Sequence, residues 1–125
     1  MSQKLEKLRL SSHQSLQPLK TLPVEARFHE LPQFLQELIR RAQTEIELEE
    51  IIVFGSRARG DEKPLSDWDL CFKFPKGKQT EWNKFSLDLS EVAETLLEID
   101  AVSWDEAPSE LLANIQKEGL TVWRK

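Results

Sequence analysis

Three features are scarce in this sequence: cysteine, long apolar runs and an excess of positive charge. One cysteine in 125 residues excludes an internal disulfide and any multi-cysteine zinc site. No apolar run approaches the roughly 20 residues that a membrane-spanning helix needs, and the N-terminus lacks the apolar stretch of a signal peptide. We therefore expect a cytoplasmic protein without a membrane partner. With 17 Lys and Arg against 22 Asp and Glu, the charge has the wrong sign for direct nucleic-acid binding.

Length and composition predict one globular domain preceded by an arm. The chain is 39% hydrophobic and 31% charged, which suits a single buried core at this length. Its first residues are rich in Ser, Gln and Lys, and Pro18 and Pro23 interrupt any regular pattern. We interpret residues 1–24 as an arm, either a flexible tail or a segment that docks on a partner. Residues 25–125 are the predicted domain.

Apolar periodicity from Pro32 onward predicts the order helix, strand, strand, helix, strand, helix, strand. The predicted elements are a helix from Pro32 to Ile46, strands at 51–54 and 67–74, a helix over 82–96, a strand at 97–103, a helix from Pro108 capped by Gly119, and a strand at 120–123. Two strands carry acids on one face and apolar residues on the other. The expected fold class is α+β, a mixed sheet with helices packed on one face and an open, carboxylate-bearing face.

Gly55 and Ser56 directly follow the first predicted strand. Glycine lets the backbone turn sharply and approach a ligand, and the N–H groups that follow can form an anion-binding nest. We predict that this turn binds phosphate.

Carboxylates follow the turn at a spacing that indicates a metal site. Asp67 and Asp69, at i and i+2 on a strand, project side by side and repel each other unless a cation lies between them. Oxygen ligands of this kind suit Mg²⁺, which completes its coordination with substrate phosphates. Asp100, on the next acid-bearing strand, can supply a third ligand. Three acids around two metal ions beside a phosphate loop are suited to in-line displacement at phosphorus.

This spacing resembles the nucleotidyltransferase superfamily related to DNA polymerase β, whose motif is Gly-Ser, ten residues, then Asp-x-Asp. Gly55-Ser56, the ten residues 57–66 and Asp67-Trp68-Asp69 match the motif, and Asp100 lies in a context similar to the third family acid. Within the superfamily the chain resembles the minimal nucleotidyltransferases, the antitoxin halves of HEPN/MNT toxin–antitoxin pairs. The resemblance implies the superfamily's nucleotidyltransferase fold.

The resemblance also implies a role for each residue of the motif. Gly55 and Ser56 would hold the triphosphate of ATP, and Asp67 and Asp69 would bind two Mg²⁺ ions that bridge it. Asp100 would bind the second metal and draw the proton from the attacking hydroxyl.

Two arginines of the motif segment have two interpretations. Arg57 is assigned to nucleotide binding, and both Arg57 and Arg59 could steady phosphate or the partner. Alternatively, they pair with nearby acids such as Asp61 and shape the loop.

The resemblance implies an Mg²⁺-dependent enzyme that transfers AMP from ATP to a tyrosine hydroxyl of a HEPN ribonuclease toxin and so neutralises it. The chain itself contains no tyrosine, so the acceptor must lie on the partner. Two alternatives stay open: an antitoxin that acts by stoichiometric binding alone, and a small-molecule nucleotidyltransferase. For the latter the sequence offers no acceptor pocket.

Overall fold

The computed structural model describes residues 18–93 and 99–125. Its strands and longer helices follow the predicted order, and three short helices are added to them. The elements are a 3-10 helix Leu19–Thr21, α1 Val24–Glu30, α2 Gln33–Glu45, β1 Glu50–Phe54, α3 Ser56–Arg59, β2 Trp68–Lys73, α4 Gln79–Ala93, β3 Ile99–Ser103, α5 Ser109–Glu118 and β4 Leu120–Arg124. Within those described ranges, no helix combines the length and apolarity needed to cross a bilayer. Residues 94–98, at the end of the predicted second long helix and the start of the third strand, lie outside the described residues.

The four strands form one mixed sheet in the order β3-β2-β1-β4. β1 is antiparallel to both β2 and β4, and Ile52 of β1 lies opposite Cys71 of β2. β2 and β3 are parallel, with Asp69 opposite Asp100. Parallel neighbours need a long crossover connection, and α4 lies in it. This architecture confirms the predicted α+β fold class.

The larger core lies between one sheet face and helices α2 and α4. Trp68, Leu70 and Phe72 alternate along β2 and are all buried on this face, as their period of two predicts. The Phe72 ring centroid lies 5.1 Å from that of Trp82 and 5.7 Å from that of Phe85, both on α4. The buried residues of α2 are Leu35, Leu38, Ile39 and Ala42.

The opposite sheet face, which carries the acids, is partly covered by α5. Ile52, Phe54 and Cys71 form a second, smaller buried cluster with Ile115 of α5. The sequence pattern did not predict a helix on this face. Cys71 shares the face with Asp67 and Asp69, and the acids made the whole face look exposed. Burial raises the pKa of the Cys71 thiol to about 12, so this thiol acts as a packing residue. The acids lie outside the cluster, near the N-terminal ends of β2 and β3.

A short helix that the sequence did not predict, α1, attaches the N-terminal side of the described chain to the sheet. Arg27 of α1 donates hydrogen bonds to the carbonyls of Leu19 and Thr121, each at 3.0 Å. Seven residues are too few for a helix to be stable alone, so packing against β4 must stabilise it. The arm–domain boundary at residue 24 stays a prediction, and residues 1–17 lie outside the described residues.

Candidate active site

Gly55, the residue after strand β1, has a backbone conformation that L-residues rarely adopt, with φ 74° and ψ −153°. A Cβ atom at Gly55 would overlap Oδ2 of Asp69 and lie 3.1 Å from its Cγ. The sequence explains this glycine by the approach of a phosphate. The structure adds a second reason, since only glycine lets the end of β1 lie against the Asp69 carboxylate.

The chain then turns directly into the short helix α3, which begins at Ser56. The N–H groups of Ala58 and Arg59 both donate to the Gly55 carbonyl at 3.0 Å and close this turn. The N–H groups at the beginning of a helix have no acceptor within the helix. The N–H groups that follow Gly55 are the donors predicted from the sequence to bind phosphate.

The three predicted acids lie in one region of the sheet. The parallel register of β2 and β3 places Asp69 beside Asp100, with both side chains on the same face. Asp67 lies just before β2, outside the strand ladder. The side chains of Asp67 and Asp100 are exposed, and Asp69 is half-buried between them and the end of β1.

Crowding of these acids changes the proton affinity of Asp69. Burial raises the pKa of the Asp69 carboxyl, and the negative charges of Asp100 and Asp67 raise this pKa further. An ionised Asp69 is therefore poorly solvated and repelled by its neighbours. A bound cation would relieve both costs.

Two residues that the sequence analysis did not group with the acids also act on Asp69. The Arg59 guanidinium lowers the pKa of Asp69, and the Glu118 carboxylate raises it. Arg59 Nη1 lies 3.2 Å from Glu118 Oε1, and Arg59 Nε lies 3.3 Å from Asp61 Oδ2. The pairing of Arg59 with Asp61 was one of the two interpretations from sequence. No sequence signal links Glu118 to the site, because it lies 59 residues from its partner.

Arg57, the arginine assigned to nucleotide binding, contacts the loop that leads into β2. Its Nη2 donates to the carbonyls of Ser66 at 2.9 Å and Pro64 at 3.3 Å. Its guanidinium carbon lies 4.6 Å from the Trp68 ring centroid. Partial burial lowers the pKa of Arg57. These contacts agree with the loop-shaping interpretation, and the assignment to nucleotide stays a prediction.

The donor set at the site suits magnesium bound together with a phosphate ligand. In the described part of the chain, no three His, Cys, Asp or Glu side chains are arranged to hold a metal ion by themselves. Mg²⁺ does not need such a cage, since proteins usually bind it through one or two carboxylates, with waters and substrate phosphates completing the octahedron. Asp69 and Asp100, paired across the ladder and bearing only oxygen donors, fit that requirement.

Comparison with protein families assigns residues 36–125 to the model described as polymerase beta, nucleotidyltransferase. This range includes every motif residue discussed above. No curated protein matches the sequence.

Solved structures share the fold at low sequence identity. A chain from a toxin–antitoxin complex with AMP-PNP matches with a TM-score of 0.54 and 20% identity, covering 73% of this chain and 71% of that one. A chain from the Shewanella oneidensis complex of a tri-AMPylated HEPN toxin with an MNT antitoxin matches with a TM-score of 0.50 and 17% identity. The match covers 74% of this chain and 68% of that one. A Sulfolobus solfataricus protein described as a nucleotidyltransferase matches with a TM-score of 0.53 and 21% identity. The match covers 79% of this chain and 85% of that one.

Proposed function

The chain belongs to the polymerase β nucleotidyltransferase family, and from that premise we propose that it transfers AMP from ATP to a tyrosine hydroxyl of a HEPN-type toxin and so neutralises the toxin. The observation that carries this proposal is the register of Asp69 against Asp100 beside the Gly55 turn. It brings the turn proposed to bind phosphate and the two carboxylates proposed to bind metal to one end of the sheet.

Each motif residue has a task in this reaction. The N–H groups after Gly55 donate to phosphate oxygens of ATP and orient the triphosphate. Asp67, Asp69 and Asp100 would hold magnesium, which when bound neutralises phosphate charge. Asp100 accepts the proton of the attacking tyrosine hydroxyl. The tyrosine oxygen then forms a bond to the α-phosphorus, and the bond from that phosphorus to the bridging oxygen breaks, so that pyrophosphate leaves.

One observation supports a protein acceptor, and a second excludes this chain as that acceptor. The Shewanella oneidensis complex, one chain of which has this fold, contains an AMPylated toxin. This chain has no tyrosine of its own, so it cannot be the acceptor for this chemistry. Attaching an anionic nucleotide beside an RNA-cutting site would oppose RNA phosphates by charge and by volume.

The test is transfer of label from ATP to a purified HEPN protein, preferably one encoded beside this chain's gene, in the presence of Mg²⁺. We expect mass spectrometry to place AMP on a tyrosine of that protein. A chain carrying both Asp67→Asn and Asp69→Asn is the control and should transfer none. AMP on serines or threonines of this chain, with the partner unmodified, would overturn the direction of transfer. Inhibition of the toxin by the double variant as strongly as by the wild type would instead support neutralisation by binding.

A further inference from the structure

The loop between α3 and β2 is held at both neighbours of Asp67 by a single side chain. Arg57 Nη2 donates at 2.9 Å to the carbonyl of Ser66, the residue before Asp67. The guanidinium of Arg57 also stacks against the ring of Trp68, the residue after Asp67, with 4.6 Å between its central carbon and the ring centroid. Trp68 is buried and separates the two acids of the motif, so its position fixes where both of them leave the backbone.

The same loop is closed by a turn that Arg57 reinforces. Ser66 Oγ accepts a hydrogen bond from the N–H of Lys63 at 2.8 Å, and Ser66 N donates to the Lys63 carbonyl at 3.0 Å. Arg57 adds its 3.3 Å bond to Pro64 within this turn. Asp67 itself lies before the β2 ladder and has an exposed side chain. Its placement therefore depends on this turn.

The contacts of Arg57 that the structure describes are with this loop and with Trp68. Arg57 Nε is buried and has no hydrogen-bond partner among the residues that the structure describes. Its Nη2 faces the loop carbonyls, and its guanidinium carbon lies over the Trp68 ring. The positive charge that acts on Asp69 belongs to Arg59. The two arginines of the motif segment thus have different surroundings, although they are only two residues apart.

We propose that Arg57 is a positioning residue for the acids and does not contact phosphate. By holding Ser66 and Trp68, it fixes the backbone on both sides of Asp67 and so sets the spacing at which Asp67 and Asp69 meet a metal-bound nucleotide. This inference rests on the proposed function, because it concerns the same metal–nucleotide site. Partners that orient metal-binding carboxylates without touching the metal contribute about 10- to 100-fold to metal affinity in other proteins.

The experiment measures binding of AMP-PNP to the purified chain by calorimetry, once with Mg²⁺ and once with EDTA. The variants are Arg57→Ala and Arg57→Lys. The control is Arg40→Ala, which removes an arginine whose guanidinium carbon lies 5.6 Å from the Phe28 ring centroid on another part of the surface. We expect Arg57→Ala to weaken binding with Mg²⁺ by about 10-fold or more. In EDTA, the Arg57 variants should bind AMP-PNP as tightly as the wild type does. The Arg40→Ala control should bind like the wild type in both conditions.

Arg57→Lys separates positioning from phosphate contact, and it also serves if Arg57→Ala fails to fold. Lysine keeps the charge but loses the planar group that stacks on Trp68, so it should bind Mg²⁺–AMP-PNP nearly as weakly as the alanine variant. Wild-type affinity in Arg57→Lys would overturn the inference, and loss of affinity in EDTA in either variant would overturn it in favour of a phosphate contact. A wild-type chain that binds no Mg²⁺–AMP-PNP would overturn the proposed function, and this inference with it. Equal binding by the wild type and both Arg57 variants would overturn the inference alone.

Discussion

The Asp69 carboxylate occupies the place where a side chain at Gly55 would begin. A Cβ at Gly55 would overlap Oδ2 of Asp69, and the Gly55 φ of 74° already disfavours any other residue. The glycine is therefore required twice, once for backbone conformation and once for contact. These two requirements can be separated experimentally.

We expect Gly55→Ala to destabilise the fold and to displace Asp69 from the site. The backbone strain alone should cost about 1–3 kcal/mol of unfolding free energy. Gly77→Ala is the matched control, because Gly77 also has a positive φ, of 97°, but a Cβ there would meet nothing within 4 Å. Urea denaturation should show a loss of stability in both variants, whereas calorimetry should show weakened Mg²⁺–AMP-PNP binding in Gly55→Ala alone. Equal nucleotide binding by the two variants would contradict the role assigned to the Gly55–Asp69 contact.

We expect Asp69→Asn to stabilise the metal-free protein at neutral pH while preventing AMP transfer. Burial, followed by Asp100 and Asp67, raises the pKa of Asp69 in the folded state above its ordinary value of 3.8. The folded state then binds the proton more tightly than the unfolded chain does. The stability contributed by Asp69 is greatest below pH 3.8 and is lost as the pH rises through the raised pKa.

Thermal denaturation in EDTA from pH 4 to pH 7 checks this prediction. The melting temperature of Asp69→Asn relative to the wild type should increase with pH and reach a gain of a few degrees at pH 7. The control is Asp105→Asn, which removes one exposed carboxylate from the turn after β3, outside the crowded acids. Adding Mg²⁺ and AMP-PNP should stabilise the wild type and not Asp69→Asn. A difference in melting temperature that did not vary with pH would argue against charge crowding at Asp69.

Charge removal at Arg59 and at Glu118 should shift the Asp69 titration in opposite directions. Arg59→Gln removes the positive charge that lowers the pKa of Asp69, so this pKa should rise further. Glu118→Gln removes a negative charge that raises it, so the pKa should fall. NMR titration of the Asp69 side-chain carboxyl carbon measures both changes. Shifts of the same sign in the two variants would show that the Arg59–Glu118 pair acts through a change in structure and not through charge.

We expect Gly119→Ala to destabilise the protein by about 1–3 kcal/mol, as overpacking of a close contact usually does. Gly119 ends α5 as the sequence predicts, and its N–H donates to the Ile115 carbonyl at 2.8 Å. Its φ of −69°, however, is open to any residue, so the left-handed cap that usually favours glycine does not apply. A Cβ there would overlap the Ile115 carbonyl oxygen and lie 2.6 Å from Ile52 Cγ2. Chemical denaturation of Gly119→Ala measures the loss, and wild-type stability would show that the backbone at the end of α5 adjusts to the added methyl group without cost.

The order of the strands and of the longer helices from α2 onward was predictable because it depends on local patterns. The period of two in Trp68, Leu70 and Phe72 selects one buried face of a strand whatever its neighbours are. The motif from Gly55 to Asp69 could also be recognised in the sequence, because its residues are close together and each residue type has a specific chemistry. Helix α1 escaped prediction, since its seven residues are stabilised by contact with β4 and not by their own pattern.

Contacts between distant residues were decided only by the tertiary structure. Asp69 and Asp100 were both predicted for the site, but their direct pairing follows from the parallel register of β2 and β3. Glu118 reaches Arg59 because α5 packs on the acid-bearing face, which alternation alone predicted to be open. Arg57 and Arg59 are two residues apart, yet one faces the Trp68 loop and the other faces the acids. These contacts depend on the order of the strands in the sheet and on where the helices pack. A local pattern of residues carries no information about either.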